Sequence, residues 1–120
     1  NTSRRSFRAA TPLENCRLVT LAAGKAAYAD PGEDVLGVTD YSVAEADSPV
    51  SVRLLNTEGT IEVEARGPVA VGEDVVLAAS GKVVTDPGNG ARTLIGKSLA
   101  SVGDGGVIEV IPYGYGHNLS

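Results

Sequence analysis

VGEDVVLAASGKVVTDPGNGARTLIG, residues Val71–Gly96, decides the fold of this chain. It reads as two short β-strands, Val75–Ala79 and Lys82–Thr85, joined by a tight Ser80-Gly81 turn. A glycine-rich loop and a third strand from about Thr93 follow. Valine and threonine suit a pleated, half-buried surface, and glycine in the turn reaches positive φ, where a residue with a Cβ clashes. The same pattern occurs earlier, in TLAAGKAAYADPGEDVLG, Thr20–Gly37. Ala22-Ala23-Gly24-Lys25 answers Ala79-Ser80-Gly81-Lys82, Asp30-Pro31-Gly32 answers Asp86-Pro87-Gly88, and Leu36-Gly37 answers Ile95-Gly96. One supersecondary unit is used twice.

Working outward, Arg17–Leu21, Lys25–Ala29 and Val35–Tyr41 read as strands, and Ser42–Ser48 as a polar loop with room for one helical turn. Val50–Leu55 alternates, with Val50, Val52 and Leu54 on one face and Ser51, Arg53 and Leu55 on the other. Thr60–Ala65 does the same, with Ile61, Val63 and Ala65 inward and Thr60, Glu62 and Glu64 outward. Asn56-Thr57-Glu58-Gly59 between them predicts a hairpin. Leu94–Ala100 and Val107–Ile111 complete the second copy, so the repeat spans about Cys16–Leu55 and Asp74–Ile111, with Asn56–Glu73 as an insert. Helical periodicity is absent over any ten residues. The expectation is an all-β chain: one small antiparallel barrel or sandwich-like domain of short strands, Leu13–Pro112, with an internal pseudo-repeat. Asn1–Pro12 is polar and basic and reads as an extended N-terminal arm, whose removal would leave the domain folded. Tyr113–Ser120 reads as a tail too glycine-rich to continue a strand.

The chain of 120 residues has the length of a single domain. Aromatic residues make up only 4 %, so valine, leucine, isoleucine and alanine must carry the core. A core of small residues often borrows stability from oligomerisation. Three of the ten basic residues, Arg4, Arg5 and Arg8, lie in the first eight positions, where there is no acid. The remainder holds seven basic against fifteen acidic residues, a net of −8. Such a body repels nucleic acid, while a basic arm can reach an acidic neighbour. No apolar run approaches the ~18 residues of a membrane span. The chain begins at Asn1 and has no methionine, which reads as a sequence whose upstream part was removed or lies outside the numbering.

Catalytic and binding chemistries find little to work with. The only histidine is His117, in the tail, so a serine or cysteine triad is not expected. One cysteine, Cys16, allows no internal disulfide and no structural zinc site of the usual cysteine-rich kind; at the start of a strand it reads as a small buried hydrophobe. Asp30, Glu33, Asp34, Asp86 and Asp104 could suggest calcium or an acid-pair hydrolase. The recurrence of Asp-Pro-Gly in both halves points instead to turn chemistry. Gly96-Lys97-Ser98 matches a phosphate-loop tripeptide in letters only, since it lies in a strand and lacks the upstream glycine. No cofactor or metal is expected, and no enzyme. Tyr113 and Tyr115, between glycines, are the best candidates for contact residues.

The order and spacing of these elements resemble the small capsid cement, or decoration, proteins of tailed bacteriophages. The resemblance rests on the Gly-acidic-x-Val opening at Gly72–Val75, the Gly-Lys-Val turn at Gly81–Val83 and Ile95-Gly96. The small-residue loop Ser101–Gly106 and the strand Ile108–Val110 complete it, and the match covers about Leu18–Ile111. It implies a non-enzymatic virion protein that binds the outer capsid surface, commonly as a trimer, and stabilises the head by bridging major capsid subunits. On that reading Arg4, Arg5, Phe7, Arg8, Tyr113, Tyr115 and His117 are the expected capsid or subunit contacts, with no nucleic acid or membrane as partner. Both ends depart from the family pattern. The alternative is a β-barrel module that binds a small molecule or glycan through Asp30–Asp34 and Asp86–Arg92.

Overall fold

The computed structural model describes the backbone of residues 4–31, 35–55, 60–88, 90 and 92–119, and the side chains of that set except Arg4 and residues 113–119. Gly32, Glu33, Asp34 and the turn Asn56–Gly59 lie outside the described residues. The all-β expectation holds. One antiparallel sheet takes β1 (Arg4–Arg8), β2 (Leu18–Ala22), β3 (Lys25–Tyr28), β4 (Gly37–Thr39) and β5 (Pro49–Leu54) in the order β1-β5-β4-β2-β3. The second takes β6 (Ile61–Glu64), β7 (Asp74–Leu77), β8 (Val83–Thr85), β9 (Arg92–Ser98) and β10 (Val107–Leu119) in the order β6-β10-β9-β7-β8. The two orders are the same five-strand topology. In each sheet the edges approach through one isolated parallel bridge, Ala9 to Ala26 and Ala65 to Val83, without closing a barrel.

Hydrogen-bond register extends the repeat beyond what the letters show. β1 lies on β5 as β6 lies on β10, so residues read as an insert hold the second copy of the N-terminal strand. The bridge Leu13 to Val43 recurs as Val69 to Val102. Thr39 N–H donates to Arg17 O as Ser98 N–H donates to Glu73 O, and Cys16 N–H donates to Thr39 O as Gly72 N–H donates to Ser98 O. Arg17 and Glu73 are therefore counterparts, as are Cys16 and Gly72. Even the crowding is duplicated: a Cβ on Gly37 would lie 2.2 Å from Arg53 O, and one on Gly96 would lie 2.1 Å from Ile111 O. Strands meet backbone to backbone at these two points, and only glycine fits.

Three expectations fail. Val50–Leu55 and Thr60–Ala65 alternate like hairpin partners, yet β5 belongs to the first sheet and β6 to the second. Each has a better partner inside its own half, β1 for β5 and β10 for β6. The tail also continues as strand: β10 runs to Leu119 and pairs with β9, with a register shift between Pro112 and His117 that absorbs the proline and glycines. Ser42–Ser48 holds no helical turn; the one helical turn among the described residues is the 3₁₀ turn Ala79–Gly81.

The halves are alike in path but not in what their faces meet. Ala9, Leu13, Val19, Ala26, Val50 and Val52 form the inner cluster of the first half, with Phe7 and Tyr28 against it. The larger cluster is the interior of the second half, Val63, Val75, Val83, Ile95, Ile108 and Val110 among others, joined by Leu18, Ala29, Val35, Val38 and Leu55 of the first. Leu55, expected on a wet face, is thus buried between the halves. Leu18 faces Val38 across β2 and β4, and their counterparts across β7 and β9 are Asp74 and Lys97, an exposed ion pair at 3.4 Å. Full burial of a leucine or valine stabilises by about 1.5–3 kcal/mol, whereas an exposed ion pair contributes about 0–1 kcal/mol. The apolar pair therefore joins the halves, and the charged pair leaves the matching face of the second half in water.

Polar contacts lock this joint. Glu64 N–H donates to Cys16 O, and Gly81 N–H to Ala29 O. The largely buried Arg17 donates to Glu64 Oε1 (3.2 Å), to Ser80 O (3.1 Å) and to Glu14 Oε2 (2.6 Å). Glu64 is shared with Lys82 at 3.3 Å. Gly81 is so closely covered that a Cβ there would lie 2.3 Å from Leu18 O, while its counterpart Gly24 has nothing within 4 Å.

We predict that Gly24→Ala costs about 1–2 kcal/mol from left-handed backbone alone. Gly81→Ala should lose a further ~1–3 kcal/mol through overpacking. Equal losses in urea melts would contradict the covered turn. Because Ala9 is fully buried and Phe7 packs on the first cluster, deletion of residues 1–11 should lower the melting temperature by several degrees rather than spare the domain; an unchanged melt would show that β1 is dispensable.

Candidate interaction surface

Of the residues expected to make contacts, four lie on β1, an edge strand of the first sheet. Arg4 is opposite Arg53, and Arg8 opposite Pro49. Alternation along the strand puts Arg5 and Phe7 on the side of Val52 and Val50, and Ser6 and Arg8 on the other. The Arg5 guanidinium lies 5.3 Å from the Phe7 ring centroid, in cation–π range. Arg8 donates to Asp47 O at 2.7 Å, and Lys25, beside the first turn, pairs with the Asp47 carboxylate. The Lys25 hydrogen bond, then its charge, holds the exposed Asp47 carboxyl below the usual range, with Arg8 adding to the effect. The result is an exposed basic edge with one acid set into it. A charged edge also guards against strand-to-strand aggregation, which gives these residues a structural use independent of any partner.

Tyr113, Tyr115 and His117 follow Pro112 in β10, with the backbone of His117 opposite Leu94. They belong to the second sheet, whereas the arginines belong to the first. The contact candidates form two separate groups.

A site with no sequence signal lies between the sheets. A cleft of about 500 Å³ is lined by Cys16, Val38, Thr39, Asp40, Arg53, Thr60, Ile61, Glu62 and Glu109. Its walls come from β4 and β5 of the first sheet and β6 and β10 of the second, which no single stretch of sequence brings together. Cys16 is not the buried start of a strand: it precedes β2, is partly exposed and holds φ +57°, the place taken in the second half by Gly72. Burial, then the charges of Glu62, Glu64 and Asp40, push its thiol above the ordinary value. A thiol held protonated is a poor nucleophile and a poor metal ligand. Among the described residues no group of three or more histidine, cysteine, aspartate and glutamate side chains is placed to hold a metal ion.

The turn reading holds for the Asp86 loop, while Asp30 acts away from its own loop, of which Gly32 lies outside the described residues. Asp86 Oδ1 accepts from Gly88 N–H at 2.9 Å and pairs with Arg92 at 2.6 Å. Asp30 Oδ1 instead accepts from Ser80 N–H at 3.1 Å, across the joint. Among the described residues of the two loops, none lines the cleft above or a second one of about 400 Å³, lined by Arg66, Ala79, Ser80, Lys82 and Asp104. For Cys16 we predict slower alkylation by iodoacetamide at pH 8 than for a free cysteine, by about 10-fold. Glu62→Gln should raise the rate, and a rate matching free cysteine would argue against the acidic, partly dry setting.

No protein-family model matches the chain, and no curated protein matches its sequence. Among solved structures, the fold is similar to that of the crystal structure of the head fiber gp8.5 N base of bacteriophage phi29. The TM-score is 0.73 over 91% of this chain and 92% of that chain, with 16% sequence identity. At that identity the likeness is one of fold, and it extends over nearly the whole of both chains.

Proposed function

We propose that the chain is a structural protein of a phage virion, a capsid cement or decoration protein that sits on the outside of the head and bridges neighbouring major capsid subunits. The observation that carries this reading is the fold shared, over about nine-tenths of both chains, with a protein described as a base of a phage head fiber. The motif order from Gly72 to Val110 agrees with it independently. So does the chemistry of the surface: a raised thiol in an acidic cleft, aspartates committed to turns and an edge strand carrying exposed arginines suit contact rather than catalysis.

The bridging unit is a homotrimer on this reading. Its contacts come from Arg4, Arg5, Phe7 and Arg8 on one sheet and Tyr113, Tyr115 and His117 on the other. Two groups on separate sheets allow one molecule to touch two neighbours. If several weak contacts engage together, avidity exceeds a single contact by ~10²–10⁴. A small-molecule or glycan module is less well supported, because the Asp30 and Asp86 carboxylates already have protein partners.

The test is to add the purified full-length protein to phage heads that lack it and measure copies bound after sedimentation. Wild type should saturate a fixed number of sites and raise the temperature at which heads release DNA. Arg5→Glu together with Tyr113→Ala and Tyr115→Ala should cut occupancy by ~10-fold or more while leaving the melting curve intact, equivalent to at least about 1.4 kcal/mol. Undiminished occupancy would remove these residues from the contact, and no binding by wild type would overturn the virion reading itself.

A further inference from the structure

The two halves are copies, but only one of two equivalent contact surfaces is used within the molecule. The outer face of the first half, with Arg17, Leu18 and Val38, sits on the open end of the second, formed by Glu64, Leu77 and the Ser80-Gly81 turn. The first half has the same open end, at Arg8, Leu21 and the Ala23-Gly24 turn. The second half has the same outer face, at Glu73, Asp74 and Lys97. Neither is covered. Leu77 is 3% exposed, while its counterpart Leu21 is 46% exposed. Gly81 is pressed against Leu18, while Gly24 has open space around it.

The charges at the paired positions are exchanged. Across the internal joint, Arg17 of the outer face donates to Glu64 of the open end. At the free surfaces the outer-face position is Glu73 and the open-end position is Arg8. The backbone repeats as well. Ala65 N–H bonds to Gly106 O within the sheet, so Glu64 N–H turns outward and reaches Cys16 O. Ala9 N–H bonds to Ser48 O in the same way, which turns Arg8 N–H outward too. The acceptor in the place of Cys16 O is Gly72 O, to which Lys97 Nζ donates at 3.2 Å and which keeps a second lone pair.

We propose that these two free surfaces bind each other between copies of this chain, head to tail, with the geometry already seen between the halves: Glu73 of one copy against Arg8 of the next. The occupant is a second copy because each surface is a charge-exchanged counterpart of one half of a contact the chain already makes. The central apolar pair of the internal joint, Leu18 and Val38, is replaced at the free face by Asp74 and Lys97. The contact between copies is accordingly polar, reversible and sensitive to salt, where the internal joint is permanent. A head-to-tail contact either closes into a ring or runs on as a filament. The inference rests on the oligomeric part of the reading above, for which the ring applies, but not on binding to capsids.

The experiment is sedimentation of the full-length protein over a range of concentrations. Wild type should associate, less at 500 mM than at 50 mM sodium chloride. Arg8→Glu and Glu73→Arg should each weaken association by ~10-fold or more, and the double variant should recover to within ~3-fold of wild type, as a re-formed pair requires. Leu21→Asp, at an exposed position, should weaken it with no change in the melting curve, and it serves if Glu73→Arg does not fold. A wild-type protein that stays monomeric overturns the inference. So does an oligomer whose mass ignores all the single substitutions, although that result leaves the oligomeric reading standing. Single effects without recovery in the double variant overturn the Arg8 to Glu73 pairing. Occupancy on heads is measured separately, so failure of the virion reading is distinguishable from each of these.

Discussion

The Leu18–Val38 face resting on the second half is the contact on which the rest of the molecule depends. With only small hydrophobes available, neither half has much interior of its own. The second cluster counts Leu18, Ala29, Val35, Val38 and Leu55 of the first half among its members. Arg17 sits at the rim of this contact and meets Glu14, Glu64, the Ser80 carbonyl and the Tyr28 ring. Removing a charged group from water is costly unless it is fully paired, and this one is. The result is a rim that tolerates one relative placement of the halves, where apolar packing alone would tolerate several.

Duplication with divergence explains the distribution of surface chemistry better than any single motif. Most positions inside each half stayed apolar or glycine in both copies, and Thr39 and Ser98 both kept a hydroxyl, because they answer to the same backbone: a Cβ on Gly37 or Gly96 would meet equivalent carbonyls, Arg53 O and Ile111 O, at nearly the same distance. Positions on the outer face were free to diverge, since in one copy they lie between the halves and in the other they face solvent. Leucine and valine became, or remained, the buried version; aspartate and lysine are the exposed one. The same freedom produced a basic edge strand in the first half and an acidic one, Glu62 and Glu64, in the second.

Much of the fold was legible in the letters where the cause is local. The Ala23-Gly24 and Ser80-Gly81 turns, the strands flanking them and the recurrence of the unit follow from turn geometry and period-2 patterning. What could not be read depended on partners distant in the chain. The alternation of Val50–Leu55 and Thr60–Ala65 says that each is a strand with two unlike faces, but not that they join different sheets. Glycines in the tail lower strand propensity, yet pairing with the backbone of β9 from Arg92 to Leu94 outweighs it. Glu62 and Glu109 are far apart in sequence and stand side by side because β6 pairs with β10, and Cys16 joins them only where the two halves meet. Arg4–Arg8 was legible as basic and extended; its place on β5 was not, because that contact spans more than forty residues.

The order in which the chain is made gives the joint a further consequence. Every strand of the first sheet lies before Leu55, and the first cluster draws only on residues up to Leu54. A nascent chain that has emerged this far holds the parts of its own small core, but Leu18, Val38 and Leu55 still lack their cover. At about 5–20 residues per second, roughly sixty more residues take about 3–12 seconds to appear. During that interval a sticky apolar face is open on a half-built molecule. The turn between Ser80 and Gly81, which will close over Leu18, comes early in the second half, and its position in the chain shortens the wait.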